Sequence, residues 1–97
     1  MPEITFFPEV LCQEEPGIRE GDVTASVRDV NGRLQFVQVT AGLISRDGGK
    51  SYLPVGFVDI QRRTRTVLIE LPTEADSGAN RLWVKFDDLR QEVSVHA

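Results

Sequence analysis

From Val23 onward, hydrophobic and polar residues alternate along the chain with a period of two. Val23, Ala25 and Val27 alternate with polar neighbours, and similar alternation returns over residues 34–39 and 82–86. This period is typical of a strand with one buried face, whereas an amphipathic helix repeats every 3.6 residues. No stretch has a convincing helical period, so we predict an all-β fold of five to six short antiparallel strands.

Asn31-Gly32 predicts the first tight turn. Both residues accept a positive φ, which the type I′ turn of a two-residue hairpin loop requires. A loop of that length places Val27 opposite Phe36. The next apolar pair, Ala25 with Val39, needs one extra residue in the second strand. The pattern therefore predicts a β-bulge there, and bulges bend strands.

A change of face between residues 53 and 60 predicts a second bend. The apolar residues up to Phe57 share one face, whereas Val58 and Ile60 take the opposite face. Gly56 lies beside this change, where the missing side chain permits a sharp bend. Two strongly bent strands in so short a chain favour a small closed barrel over a flat sheet.

A second hairpin is predicted to close through residues 62–65. It places Ile60 opposite Val67 and Val58 opposite Ile69. Both pairs are apolar and lie on one face, so this register is self-consistent. Local composition predicts the remaining elements, which are a turn-rich segment over residues 72–80, a strand over 82–86, a short helical turn over 87–90 and a final strand over 93–95.

The N-terminal segment differs from the rest in composition. Ile4–Phe7 predicts a short strand that Pro8 ends, and residues 13–22 predict a polar linker with a turn. The net charge of the chain is −4, and it belongs to this segment, because the remainder is close to neutral. We therefore divide the chain into an N-terminal strand with an acidic linker, residues 1–22, and a small β-barrel domain, residues 23–97.

The lengths of the apolar runs, the cysteine content and the charge argue against membrane-spanning, secreted and nucleic-acid-binding proteins. No apolar run approaches the ~20 residues that span a membrane, and no secretory signal is recognisable. Cys12 is the only cysteine and forms no internal disulfide, so we expect a cytoplasmic protein. The body of the chain also lacks the basic excess that nucleic-acid-binding domains usually carry.

The candidate chemistry is sparse, and we expect no enzyme, no cofactor and no metal. His96 is the only histidine and is the penultimate residue. Carboxylates beside Cys12 would raise its pKa and lower its reactivity. Residues 49–51 (GKS) lack the earlier glycine and the following helix of a phosphate-binding loop, so they predict a turn. The carboxylates within residues 72–80 lack the spacing of an EF-hand.

One group of side chains stands above this background. Alternation along residues 82–86 directs Trp83 away from the interior, with one cation on either side of it in the sequence. An outward tryptophan between cations is typical of an interface anchor. The alternative is a tryptophan covered by the N-terminal segment, with solvated arginines around it. The predicted partner-binding residues are Arg62, Arg63, Arg65, Arg81, Trp83 and Lys85.

Residues 23–90 resemble the SH3-like small barrels, and within that group the PRC-barrel type. The resemblance rests on Val27–Arg33 (VRDVNGR), an opening strand and turn, and on Leu82–Phe86 (LWVKF), which precedes the short helical turn. It implies a binding or assembly module that works beside other domains, rather than an enzyme.

These observations together predict a non-enzymatic protein-interaction or assembly module. Ile4–Phe7 would add a strand to the edge of its own barrel or to a neighbouring copy, which would make a dimer. The alternative is a nucleic-acid-binding barrel that stacks single-stranded bases on Trp83. The two differ in salt response, because binding to phosphates weakens steeply with salt and an apolar contact does not.

Overall fold

The computed structural model describes residues 2–95, and the side chains of residues 3–94. Within that range the chain is all-β and antiparallel, as predicted, with two single-turn 3-10 helices over Ala41–Leu43 and Phe86–Asp88. The described strands number nine rather than five to six. They are β1 (Pro2–Pro16), β2 (Asp22–Arg28), β3 (Leu34–Thr40), β4 (Ser45–Asp47), β5 (Lys50–Pro54), β6 (Gly56–Gln61), β7 (Thr66–Glu70), β8 (Arg81–Lys85) and β9 (Leu89–Val95).

The strands form two sheets. The larger has the order β3-β2-β1-β5-β4, with β9 also paired to β1, and the smaller has the order β6-β7-β8. No closed barrel is found among the described residues, so the predicted closure is not part of the observed architecture. The molecule measures 48 × 26 × 19 Å along its principal axes.

The N-terminal strand is much longer than predicted. It does not end at Pro8 but continues to Pro16, so residues 13–16 are strand rather than linker. Proline is tolerated because the pairing with β9 is interrupted between Phe6 and Val10, where no ladder N–H is needed. The Pro8 carbonyl accepts a hydrogen bond from the Val55 N–H at 2.9 Å. β1 therefore forms the centre of the larger sheet.

The predicted register of the first hairpin is wrong by one residue, and the predicted bulge is absent. Ala25 pairs with Val37 and Val27 with Gln35, in unbroken register through β2 and β3. Ala25, Val27 and Val37 are buried, which leaves Phe36 on the outer face. The apolar residues of β3 thus face opposite sides without any insertion.

The turn explains this shift in register. The Asp29 N–H donates to the Arg33 carbonyl at 2.8 Å, which closes a loop of three residues instead of two. Gly32 has φ +82°, whereas Asn31 is not in the left-handed region, so the turn is not type I′. The Asp29 carboxylate accepts the N–H groups of Asn31 and Arg33 at 2.9 and 3.0 Å. This local capping favours the longer loop.

The chain changes sheets beside Gly56, where the bend was predicted, but the predicted change of face is wrong. Phe57 and Ile60 pair with Ile69 and Val67 and share one face, because the register shifts between Phe57 and Asp59. β5 ends at Pro54 in the larger sheet, and β6 begins at Gly56 in the smaller one. The hairpin closes through residues 62–65, and Ile60 pairs with Val67 as predicted. A register shift between Phe57 and Asp59 places Phe57 rather than Val58 opposite Ile69, which corrects the second predicted pair.

The segment that links β7 to β8 packs along β3. Ala75 is buried and forms a bridge with Val37, and the Asp76 N–H donates to the Phe36 carbonyl at 2.8 Å. Ser77 Oγ donates to Gln35 Oε1 at 2.8 Å. The turn-rich loop therefore covers part of the outer edge of the larger sheet.

The core lies between the inner faces of the two sheets. Leu82, Val84 and Phe86 point inward as predicted, and the 3-10 helix Phe86–Asp88 lies one residue before the predicted helical turn. The predicted final strand is present as part of the longer β9. The buried apolar residues are Val10, Cys12, Ala25, Val27, Val37, Val39, Ile44, Leu53, Val67, Ile69, Leu71, Ala75, Leu82, Val84, Phe86 and Leu89.

Candidate functional site

The predicted partner-binding residues lie on the smaller sheet and at its end, but they do not form one cluster. Arg62, Arg63 and Arg65 occupy the β6–β7 turn and are exposed. Lys85 lies near that turn, because it pairs with Thr66, the first residue of β7. One end of the smaller sheet therefore carries four of the five predicted cations.

The fifth cation lies elsewhere. Arg81 is four residues from Lys85, or about 13 Å along an extended strand. Its guanidinium lies 3.4 Å from a carboxylate oxygen of Glu70. Trp83 lies between the two cations, opposite Leu68, and is half-buried. The N-terminal segment is paired with β2, β5 and β9 rather than with β8.

The cations at the β6–β7 turn differ in their partners. Arg65 lies 3.8 Å from the Asp87 carboxylate and 5.5 Å from the centroid of the Phe86 ring. Arg62 and Arg63 form no salt bridge within the described residues. Lys85 is exposed and has no salt bridge there either, so Arg62, Arg63 and Lys85 are the available positive charges at this end of the smaller sheet.

The sequence did not point to an apolar groove beside this turn. Phe57 and Ile60 lie on the inner face of β6, opposite the buried Ile69 and Val67, yet they are 37% and 47% exposed. Strict alternation would place these two side chains on opposite faces, and the register shift between Phe57 and Asp59 brings them to the same one. Neither the pattern nor the shift says whether another layer covers that face. The groove holds a cavity of about 80 Å³ lined by Phe6, Phe57, Ile60, Arg62, Val67, Phe86 and Leu89.

The opposite wall of the groove belongs to a two-stranded ribbon, formed by residues 2–6 of β1 and 91–95 of β9. The Phe6 ring packs on Phe86 with centroids 5.1 Å apart. Ile4 is two residues from Phe6 and pairs with Val93, so the three side chains share one face. Ile4 and Val93 are 52% and 58% exposed. The apolar surface therefore continues from Phe6 to Ile4 and Val93 along the ribbon, and Gln91, the partner of Phe6, is the polar residue on that face.

The other face at the base of the ribbon is organised around Arg90. Its guanidinium lies 3.3 Å from Glu9 and 3.1 Å from Asp47. It also lies 5.7 Å from the centroid of the Phe7 ring and 5.8 Å from that of Tyr52. Arg90 thus joins β9, β1 and the β4–β5 hairpin, and we interpret it as a structural cation.

A polar group on the larger sheet surrounds Glu14. Its carboxylate accepts hydrogen bonds from Ser51 Oγ at 2.6 Å and from Arg46. These two donors, with Ser51 the stronger, hold the pKa of Glu14 below its ordinary value of 4.5.

The nearby Cys12 pairs with Ser51 in the ladder between β1 and β5, and its thiol is buried. Burial first, and the Glu14 charge second, raise the Cys12 pKa to about 11. The thiol is therefore protonated at neutral pH and a poor nucleophile.

The other sequence features that suggested chemistry lie in turns. Gly48-Gly49 forms a two-residue loop with φ values of +59° and +80°, closed by the pairing of Asp47 with Lys50. That is the type I′ geometry that was predicted for Asn31-Gly32. Burial raises the pKa of Asp88, with the Asp87 charge adding to the effect. His96 lies outside the described residues.

Within residues 2–95, no group of three or more histidine, cysteine, aspartate or glutamate side chains is placed to hold a metal ion. Among the described helices, none is long and apolar enough to cross a membrane. No protein-family model matches the chain, and comparisons with curated proteins and with solved structures give no match. The site must therefore be interpreted from its own geometry.

Proposed function

We propose that this chain is a non-enzymatic protein-interaction and assembly module whose contact surface is the groove and the adjoining face of the ribbon. The proposal rests on one observation, namely that Phe57 and Ile60 lie on a core-facing side of β6 and yet are 37% and 47% exposed. Because more than half of each side chain is already buried, covering the remainder contributes about 0.5–1.5 kcal/mol each when a partner completes the layer. Contiguous apolar surface with a polar rim marks a protein contact.

The proposal includes the finer fold assignment, an SH3-like barrel of PRC type. Its support is the chain path, in which one strand passes from the larger to the smaller sheet at Val55-Gly56 and a helical turn precedes the last strand. A hydrogen bond also ties the two sheets, from the Val30 N–H just after β2 to the Trp83 carbonyl of β8, at 2.8 Å.

Nucleic-acid binding remains the alternative proposal, because Arg62 and Arg63 are exposed beside the groove. Arg81 and Arg65 already face carboxylates, which reduces the charge offered to phosphates. A single-stranded oligonucleotide titrated at several salt concentrations tests this alternative. Binding that weakens steeply with salt and is lost in the Arg63→Glu variant would support it.

Affinity capture with matched variants tests the main proposal. The wild-type chain, Ile60→Asp and Leu34→Asp are immobilised, and proteins retained from an extract of the source organism are identified. Leu34 is a suitable control because it is 43% exposed but lies on β3, away from the groove. We expect wild type and Leu34→Asp to retain the same proteins and Ile60→Asp to lose them. Identical retention by all three chains would contradict the proposal.

A further inference from the structure

The groove between β6 and the ribbon is apolar in all but one of its lining side chains. Arg62 is the exception, and no aspartate or glutamate is among the described residues that line the cavity. Arg62 is exposed and forms no salt bridge within the described part of the chain. An unpaired cation therefore lies at the rim of an apolar cavity.

The carboxylates of β6 and of the ribbon lie on other faces. Asp59 pairs with Leu68 on the outer face of the smaller sheet, opposite the face that carries Ile60. On the ribbon, Glu3 and Glu92 lie on the face opposite its exposed apolar pair. The groove side of both elements therefore offers a positive charge and no negative one.

The cavity has room for one large apolar side chain. A cavity volume of roughly 10–15 Å³ holds one water-sized group, so 80 Å³ holds about five to eight heavy atoms. A leucine, methionine or phenylalanine side chain has that size. The base of the cavity is fixed, because the Phe6 ring packs on Phe86 and the Arg65 guanidinium lies over the Phe86 ring.

We propose that the groove binds an acidic segment of another protein, which inserts one large apolar side chain into the cavity and directs a neighbouring carboxylate to Arg62. An arginine–carboxylate pair is planar and bidentate, so it also fixes the orientation of the segment. Charge complementarity is the reason for this partner, since a basic segment would bring like charges together at the rim. This inference rests on the proposed interaction function and names the chemistry of its partner.

The acidity of the chain itself does not oppose such a partner. Residues 13–22 contain four of its acidic residues and one arginine. Glu14, the first of these acids, is eight residues from Phe6 along β1, or about 26 Å on an extended strand. Charges in solvent at that separation are screened at physiological salt, where the Debye length is about 8 Å. The field at the groove is therefore that of its own arginine.

The arrangement favours an acidic peptide over a nucleic acid. Trp83 pairs with Leu68, so it lies on the outer face of the smaller sheet, and Lys85 shares that face. The predicted stacking ring and the groove arginine are thus on opposite sides of the sheet. A single strand needs a track of phosphate contacts beside its stacked bases, whereas the proposed segment needs only Arg62 and the cavity.

Selection from a peptide library tests the chemistry of the partner. Random dodecapeptides displayed on phage are selected on the immobilised full-length chain and depleted on the Ile60→Asp chain. We expect the enriched peptides to have a net negative charge and a large apolar residue beside aspartate or glutamate. Enrichment of neutral or basic peptides, or of none, would overturn the acidic partner.

Fluorescence anisotropy of the most enriched peptide, labelled with fluorescein, locates the site. Ile60→Asp should raise its Kd at least about tenfold. In about 0.15 M salt, Arg62→Glu should raise it at least about fivefold, because a carboxylate pair becomes a repulsion. Arg63→Glu makes the same charge change outside the cavity lining and should raise it less than about twofold. Equal losses for the two arginine variants would contradict pairing at Arg62.

Circular dichroism and urea unfolding of each variant establish that the fold is retained. A labelled thymidine oligonucleotide is titrated against the same chains. If it binds more tightly than the peptide, and is weakened alike by Arg62→Glu and Arg63→Glu but not by Ile60→Asp, nucleic acid replaces the peptide as the ligand.

The outcomes separate this inference from the proposed function. Acidic peptides that depend on both Ile60 and Arg62 support the two together. Peptides that depend on Ile60 but have no acidic bias overturn the partner chemistry and leave the interaction function standing. If neither a peptide nor a protein from an extract depends on Ile60, the interaction function fails as well.

Discussion

The two ends of the molecule use the same strand, β1, in different ways. At the closed end, residues 9–12 of β1 pair with β5 and residues 13–16 pair with β2, and Val10 and Leu53 are 0% exposed. At the open end, residues 2–6 pair with β9, and the side chains of Ile4 and Val93 are more than half exposed. Both ends have an apolar inner face, but only the closed end has a second layer over it.

The comparison separates two properties of a side chain that are often inferred together from an alternating pattern, namely the face on which it lies and whether that face is buried. Alternation determines which side chains share a face where the register is unbroken, as in residues 2–6 of β1, whereas the register shift in β6 brings Phe57 and Ile60 to one face. Burial depends on whether another part of the structure reaches that face. At the closed end Ala75 of the β7–β8 segment is buried and bridges to Val37, whereas Phe57 and Ile60 of β6 face the groove beside Phe6 and remain 37% and 47% exposed. The open end therefore has an apolar face like that of the core, but no second layer of side chains packs against it.

The largest expected effect contrasts one apolar side chain at each end. Leu53→Ala should lower the free energy of unfolding by about 3 kcal/mol, because it leaves a cavity among fully buried neighbours. Ile60→Ala should lower it by less than about 1 kcal/mol in the monomer, since nearly half of that side chain is in water. Urea unfolding at low protein concentration measures both. Equal losses would mean that the open end is as well packed as the closed one.

The second effect contrasts thiols at the two ends. Because burial raises the Cys12 pKa from 9.0 to about 11, this thiol should react with a disulfide reagent at pH 8 at least about a hundredfold more slowly than the cysteine of an Ile4→Cys chain. Because the pKa of Cys12 is higher in the folded chain than in the unfolded one, keeping this thiol protonated contributes to the free energy of unfolding, and that contribution is complete below pH 9. It is lost as the pH rises through 11. Comparable reaction rates for the two thiols would contradict the burial of Cys12.

The smallest expected effect concerns glycines in turns at the closed end. A Cβ at Gly17 would lie 2.7 Å from the Asp22 carbonyl carbon, across the hydrogen bond that closes the β1–β2 turn. Gly17→Ala should therefore cost about 1–2 kcal/mol of unfolding free energy. Gly42→Ala, with open space around the new atom, is the matched control and should change it by less than about 0.5 kcal/mol. Thermal unfolding of the two variants measures the difference.

Local signals predicted the elements that depend on local contacts. The β6–β7 hairpin and the inward face of β8 follow from alternation and from nearby turn residues. The first hairpin was shifted because the Asp29 carboxylate, two residues before Asn31, selects a longer loop. A rule based on the Asn-Gly dipeptide alone does not include that competing hydrogen bond.

The length of β1 could not be predicted for a different reason. Its partners β5 and β9 lie far along the chain, and the acidity of residues 13–16 is typical of a linker. Glu14 is compatible with a central strand because Arg46 and Ser51 neutralise and solvate its carboxylate. The groove was missed likewise, since exposure of Ile60 depends on where β1 and β9 lie rather than on its own neighbours.

Because Pro2 pairs with Val95, the two ends of the described chain lie next to each other. Partners in an antiparallel ladder are only about 5 Å apart. A polypeptide fused before Pro2 and another fused after Val95 would therefore leave the domain side by side, at the tip of the ribbon. A short peptide joining these ends, with new termini opened at Gly48-Gly49, would give a circularly permuted chain with the same strand pairings.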